Sequence, residues 1–556
     1  MTRSLFLFAC VCVFLLIGGC DDPAEGPDSR VAVPAHVDQA WFAPEATERG
    51  LDFVLDTELD EEYWLPEIIV GGGAAIDFND DGWMDLYLLQ AAGDGHNRLY
   101  QNMGDGTFKD VTSGSGAADD GYGSGAATGD VDGDGDVDIF ISNLGPDVLL
   151  LNEGNGRFTD VTQESGLGDE GWGTSATFFD ADSDGDLDLF ICRYSLWSPE
   201  TVLPCLGLSS DERGYCKPNR YPATTDLLYL NNGMGQFERV AGQENIDLVE
   251  GYGLGVAAAD FDGDGAIDLF VANDTLPDRL WLNKGGGTFE EAGFAWACDR
   301  DNSGLAKAGM GVTVADMNDD GAPDLLVCNI KGETDSLYLN SGSFFKDITA
   351  QTGLSGPSFG YTRFGLGLMD FNNDGQLDYF AANGAVNADM TILEGDPFAQ
   401  RNLLLKGRGD TLGFQKLEGM GGLDSLVART SRGAIFSDFD NDGGMDIVIL
   451  NRNAPARLLA NTVQNRGNWL LVDVRTHAGA PAIGARVEVD LGERTRTGLV
   501  RTDSSYQTAG DHRVHLGLGP LDVVPEVRVT WPDGSTTIRN DVEANAIIRF
   551  DHPGSR

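Results

Sequence analysis

The residues of this chain most able to do chemistry are aspartates, set at alternate positions in a nine-residue pattern that occurs seven times. The most charged copy is DVDGDGDVD, Asp130 to Asp138. Carboxylates at positions 1, 3, 5 and 9, a glycine at 6 for a sharp turn and a backbone carbonyl at 7 make an oxygen-rich loop. Such a loop suits Ca²⁺, a hard ion that takes about 6 to 8 oxygens. The candidate ligands of the first four copies are Asp77, Asn79, Asp81 and Asp85; Asp130, Asp132, Asp134 and Asp138; Asp180, Asp182, Asp184 and Asp188; and Asp260, Asp262, Asp264 and Asp268. Those of the last three are Asp316, Asn318, Asp320 and Asp324; Asp370, Asn372, Asp374 and Asp378; and Asp438, Asp440, Asp442 and Asp446. Position 6 is glycine throughout, from Gly82 to Gly443, whereas position 7 varies (Trp83, Asp136, Gly444), as it should where only the carbonyl binds. Up to seven Ca²⁺ ions are therefore expected.

Two other calcium architectures fail on the letters. An EF-hand needs a bidentate Glu at position 12, where these copies carry Leu88, Ile141, Ile191, Val271, Val327, Ala381 and Ile449. Nonapeptide β-helix repeats would follow one another directly, and these copies start 53, 50, 80, 56, 54 and 68 residues apart.

That spacing leaves room for four short strands per copy. Each unit has an apolar strand ending in Asn, as in Leu149-Leu150-Leu151-Asn152, then a Gly-rich turn and a short strand around an aromatic. A Gly-rich strand, the acidic loop and a strand such as Asp138-Ile139-Phe140-Ile141 complete the unit. The predicted fold is all-β, a seven-bladed β-propeller over 39–462 followed by a small β-sandwich over 463–556. The last unit lacks its aromatic strand after Asn461, and Trp41 to Leu51 offers an unpaired one. The N-terminal strand is therefore expected to close the ring.

Glycine-rich strands such as Tyr122-Gly123-Ser124-Gly125 and Phe364-Gly365-Leu366-Gly367, each leading into an acidic loop, resemble the FG-GAP and VCBS repeats of integrin α-subunit-like propellers. The resemblance implies Ca²⁺ held in surface hairpins that stabilise the blades. From about Gly467 the texture changes to alternating strands. Tyr506-Gln507-Thr508, His515-Leu516-Gly517-Leu518-Gly519 and Trp531-Pro532-Asp533-Gly534 resemble the ASPIC/UnbV domain of the cartilage acidic protein-like family. Members of that family more often carry Phe where His515 stands, and the difference is expected to be a tolerated one at the surface.

The formal charge of −52 on 556 residues repels nucleic acid and anionic headgroups and calls for counter-ions. Residues 1–19 read as an export signal, with Arg3 before an apolar run too short to span. Ile17-Gly18-Gly19-Cys20 resembles a bacterial lipobox, which marks Cys20 for acylation, and the acidic, Pro-containing stretch 20–38 reads as a tether. The expected location is the bacterial cell envelope, periplasmic or at the cell surface, with membrane contact through the lipid alone. In an exported chain Cys205 and Cys216 are a disulfide candidate, worth roughly 3 kcal/mol.

Catalytic constellations are scarce. All six histidines lie outside Asn97 to Thr476, and there is no H-E-x-x-H, G-x-S-x-G or Walker loop. No catalytic residue and no organic cofactor are assigned. Trp172, Tyr194, Trp197, Tyr221 and Tyr252 either line a sugar-binding rim or pack between blades. The leading functional reading is a non-enzymatic, calcium-binding, lipid-anchored scaffold for a protein or glycan ligand. The alternative is a hydrolase or lyase acting on polysaccharide or phosphate esters, with the insertion Tyr194 to Asp226 forming part of its pocket.

Overall fold

The computed structural model describes residues 40–57, 63–92, 95–206, 213–241, 246–389, 395–409 and 412–554; the expected leader, Cys20 and tether lie outside them. Asp38–Arg556 is one compact unit. Among the described residues no helix is long and apolar enough to cross a membrane.

Seven four-stranded antiparallel units, here called sheets, make up most of Asp38–Arg556 among the described residues; pairing of 170–172 with 144–146 joins the second and third, and strands from beyond residue 467 extend the first. The first comprises Gly73–Ile76, Asp85–Leu88, Arg98–Asn102 and Phe108–Asp110. In the last, Ser431–Ser437, Asp446–Asn451 and Arg457–Asn461 are completed from the other end of the chain by Phe42–Pro44, with Phe42 opposite Asn461 and Pro44 opposite Leu459. The innermost strands touch in a closed cycle: Gly73–Ile76, Tyr122–Gly129, Glu170–Phe179, Gly253–Ala259, Val312–Ala315, Arg363–Met369, Ser431–Ser437 and back to the first. The pairing of Phe42–Pro44 closes the ring at the outer edge of the last sheet.

The Gly-rich inner strands have a steric cause. A Cβ on Gly433 would stand 1.9 Å from the Gly71 carbonyl oxygen, and one on Gly125 would stand 2.1 Å from that of Thr174. Backbone thus packs on backbone where neighbouring sheets converge. In the third sheet this place holds Ser175, whose hydroxyl donates to the Leu254 carbonyl at 2.5 Å instead. Gly433→Ala is expected to destabilise the protein by about 2 to 3 kcal/mol, because a carbonyl cannot yield as a side-chain tip can. Urea unfolding checks it.

Beyond residue 467 two small sheets face each other. One orders Val514–Gly519, Asn468–Arg475 and Ala546–Asp551; the other orders Thr495–Leu499, Arg486–Asp490, Val523–Thr530 and Thr536–Glu543. Val472, Val487, Val527, Trp531 and Phe550 form the core between them.

A segment of this sandwich, residues 502–511, leaves it and fills the centre of the ring, where it bonds to every sheet. Thr508–Ala509 pairs in parallel with Gly73 and Ala74 of the first. The Gln507 carbonyl accepts from Ala126 N–H at 3.2 Å, and Gln507 N–H donates to Ser175 Oγ at 3.1 Å. Asp503 accepts from Ala258 N–H at 2.8 Å, Ser505 pairs with Val312, and Ser505 Oγ accepts from Leu366 N–H at 3.0 Å. Thr508 Oγ1 donates to the Ala434 carbonyl of the last sheet at 3.1 Å. Tyr506, fully buried, stacks edge-on against Phe364.

The end of the channel remote from the acidic loops is closed as well. Trp172, Tyr194, Trp197, Tyr221 and Tyr252 are all buried in one core with Leu65, Ile68, Phe364 and Tyr506. They pack rather than form a rim: Tyr194 and Trp197 of the 194–226 insertion stack edge-on against Trp172, and Tyr194 stacks against Tyr252. Tyr215, in the same insertion, donates to Glu67 at 2.6 Å. Cys205 and Cys216 are disulfide-bonded within it, 5.2 Å apart at Cα, while Cys192, Cys298 and Cys328 are buried free thiols.

Candidate metal centres

Each acidic loop joins an innermost strand to its neighbour, and its own hydrogen bonds fix its shape. The position-1 carboxylate accepts the N–H of the position-6 glycine, as in Gly135 to Asp130 at 3.0 Å and Gly443 to Asp438 at 2.8 Å. That glycine has positive φ, +102° at Gly135, where a side chain would be strained. The position-9 aspartate is buried in every copy, from Asp85 to Asp446. One of its oxygens accepts from position 2 (Val131 to Asp138, 2.9 Å) and the other from the end of the third strand (Asn152 to Asp138, 2.8 Å).

The asparagine ending that third strand also does what its sequence position did not reveal. Its side-chain amide reaches the preceding sheet's loop: Asn152 donates to the Phe78 carbonyl and Asn231 to that of Val131, at 2.8 and 2.7 Å. Asn461 likewise bonds the Phe371 carbonyl, and Asn102 bonds that of Phe439 across the closure, both at 2.8 Å. The loops are therefore stitched to one another around the ring. The sixth sheet has Gly407 at this place and lacks the stitch.

Four loops bring three carboxylate oxygens within 4.8 Å of one another: Asp130, Asp132 and Asp138; Asp180, Asp182 and Asp188; Asp260, Asp262 and Asp268; and Asp438, Asp440 and Asp442. In the copies starting at Asp77, Asp316 and Asp370 the position-3 Asn turns its amide onto the position-5 carboxylate, for example Asn318 to Asp320 at 2.8 Å. Burial, reinforced by the neighbouring carboxylates, pushes Asp130 up to about 6 and Asp188 and Asp268 up to about 7. Crowded, buried carboxylates of this kind suit a divalent cation. The second and third loops fit one best, since among the described residues no cationic side chain pairs with their ligand positions.

The first and second loops touch the sandwich through Arg475, 3.6 Å from Asp80, and through Ala478 beside Gly135, and the fifth to seventh lie against it through more bonds. Arg494 and Arg496 pair with Asp319 at 2.9 and 2.8 Å, and Arg496 also donates to the Gly375 carbonyl at 2.7 Å. Gly467 and Gly519 donate their N–H groups to the carbonyls of Asn372 and Asn373. His515 is not a free surface residue: its Nε2 lies 3.1 Å from the Gly443 carbonyl, and burial lowers its pKa to about 4. Over the third and fourth loops a cleft of about 850 Å³ opens toward the sandwich, lined by Asp184, Asp260, Arg486, Arg501 and Trp531. Among the described residues, none of the 194–226 insertion lines this cleft.

A second repeated carboxylate, at the opposite end of the sheets, escaped the letters. Asp147, Asp226, Asp278 and Asp335, just before the third strands, accept the N–H of Asn143, Arg193, Asn273 and Asn329. Burial pushes Asp147 and Asp226 up to about 7 against the attraction of Arg193. A carboxylate raised above its unfolded value of 3.8 favours folding while protonated, and that contribution is lost as pH climbs through 7. Stability at saturating calcium is therefore expected to fall between pH 5 and 8, and Asp147→Asn with Asp226→Asn should flatten the slope in denaturant titrations.

Residues 475–556 match the ASPIC and UnbV family model. The FG-GAP-like repeat model matches 77–141, 130–191, 220–271, 260–327 and 316–381. Cartilage acidic protein 1 of Homo sapiens is 30% identical over 339 residues, covering 58% of this chain and 48% of that protein. The Mus musculus protein is 30% identical over 339 residues, covering 58% and 49%. The chain thus spans about half the length of these curated relatives. Among solved structures, YCF48 bound to D1 peptide is similar over 74% of this chain and 98% of its own, at 11% identity and TM-score 0.40. The BP39L lectin from Burkholderia pseudomallei is similar over 71% and 97%, at 12% identity and TM-score 0.39.

Proposed function

Since this chain belongs to the cartilage acidic protein-like family, with FG-GAP-like repeats followed by an ASPIC and UnbV domain, we propose that it is a calcium-stabilised binding scaffold of the cell envelope. Asp130, Asp132, Asp134 and Asp138, with their counterparts in the third and fourth loops, would hold Ca²⁺ and neutralise charge that burial makes costly. Nothing reactive is asked of the ion; it fastens one hairpin of the scaffold. Export and acylation at Cys20 rest on the Ile17-Gly18-Gly19-Cys20 motif. Loss of palmitate labelling in Cys20→Ala tests them.

The observation that carries the binding role is how the two ends of the ring differ. The loop end is taken up by the chain's own sandwich. The connections at the other end present Leu196, Leu206, Leu248, Leu305, Phe359 and Val427 as exposed apolar side chains. Several large apolar side chains at one end of a rigid scaffold suit a protein partner better than a glycan. Crosslinking of the Ca²⁺-loaded protein in its own envelope should capture a partner that Leu305→Asp with Phe359→Asp releases while calcium content stays unchanged. Capture that survives both substitutions, or specific retention on a glycan array, would move the binding site away from this end.

A further inference from the structure

We propose that the seventh loop, Asp438 to Asp446, is not a calcium site but an arginine-clamped joint between propeller and sandwich, an inference that rests on the calcium reading of the other loops. The seventh loop has the same aspartates as the second to fourth at positions 1, 3, 5 and 9, so by its letters it should hold an ion equally well. Its surroundings differ. Arg466, in the link between the last propeller strand and the first sandwich strand, forks onto Asp442, with Nη1 donating to Oδ1 at 2.9 Å and Nη2 to Oδ2 at 2.5 Å. Oδ1 of Asp442 also accepts from Gly444 N–H at 2.8 Å. Both oxygens of the position-5 ligand are thus engaged, whereas the corresponding Asp134 accepts one backbone N–H, from Asp136. Asp440 accepts from Arg49 Nη2 at 3.1 Å, and Arg513 donates to the Asp438 carbonyl at 3.0 Å and to Asn441 Oδ1 at 2.8 Å.

A second observation comes from the position-7 residue. Glycine stands there only in the seventh loop, and a Cβ on Gly444 would meet Arg466 Nη1 at 1.5 Å. The backbone is cut back where the guanidinium lies. A planar fork matched to a carboxylate supplies here the positive charge that a cation supplies elsewhere, and ties the link segment to the ring.

Ion content of the full chain after equilibrium dialysis against Ca²⁺ tests this. Asp134→Asn is expected to lose one bound ion, while Asp442→Asn and Arg466→Gln lose none. Loss of an ion in Asp442→Asn overturns the inference; retention of every ion in Asp134→Asn overturns the calcium reading instead. A readout independent of metal is Gly444→Ala, which displaces the guanidinium without changing charge. Its melting temperature should fall below that of the parent by the same amount in chelator as in Ca²⁺. A fall confined to Ca²⁺, or no fall, also overturns the clamp.

Discussion

Chelation of the purified protein is expected to lower its melting temperature by on the order of 10 °C, and added Ca²⁺ to restore it. Each site held at a hundredfold excess over its Kd adds about 2.7 kcal/mol to the folded state. Three sites, the second to fourth loops, would add roughly 8 kcal/mol, and a large domain converts each kcal/mol into only a degree or two. The effect should be cooperative, because the Asn152, Asn231 and Asn283 amides join each loop to the one before it. Scanning calorimetry with and without chelator measures it. Mg²⁺ should restore little, since it demands a smaller, near-octahedral shell.

Asp335→Ala is the single substitution with the largest expected cost. Asp335 and Arg363 are fully buried; Arg363 Nε donates to Asp335 Oδ1 at 2.5 Å, and Tyr379 donates its hydroxyl to Oδ2 at 2.7 Å. The guanidinium also donates to the Glu333, Ser358 and Tyr361 carbonyls. Removing the carboxylate leaves a dry cation with no counter-charge and the Tyr379 hydroxyl with no acceptor. Breaking a buried pair from one side costs about 3 to 5 kcal/mol. The joint between fifth and sixth sheets lacks the asparagine stitch at Gly407, so little else there offsets the loss. Denaturant unfolding measures it, and Asp335→Ala combined with Arg363→Met should recover part of the stability.

The sheets, the loops and the closing strand were legible for definite reasons. A nine-residue pattern fixes where an innermost strand ends and the next begins, so seven copies define the repeating hairpin. The missing aromatic strand after Asn461 and the spare one at Trp41 pointed to the pairing of Phe42–Pro44 with Arg457–Asn461. The asparagine at the end of each third strand was visible as a letter but not as a stitch, because its partner belongs to the previous repeat. The Asp147, Asp226, Asp278 and Asp335 set was missed because its distance from the acidic loop varies with the insertions.

By itself the sequence determined the repeat, the acidic loops and the change of texture near residue 467, since these follow from local spacing and turn chemistry. Tertiary structure alone decided what surrounds those loops. The segment 502–511 reads as an ordinary sandwich connection until it is seen inside the ring, where backbone groups of every sheet need partners. Seven loops that look alike as letters become unlike once Arg49, Arg466 and Arg513 reach the last of them, because a carboxylate's use depends on which charge lies beside it.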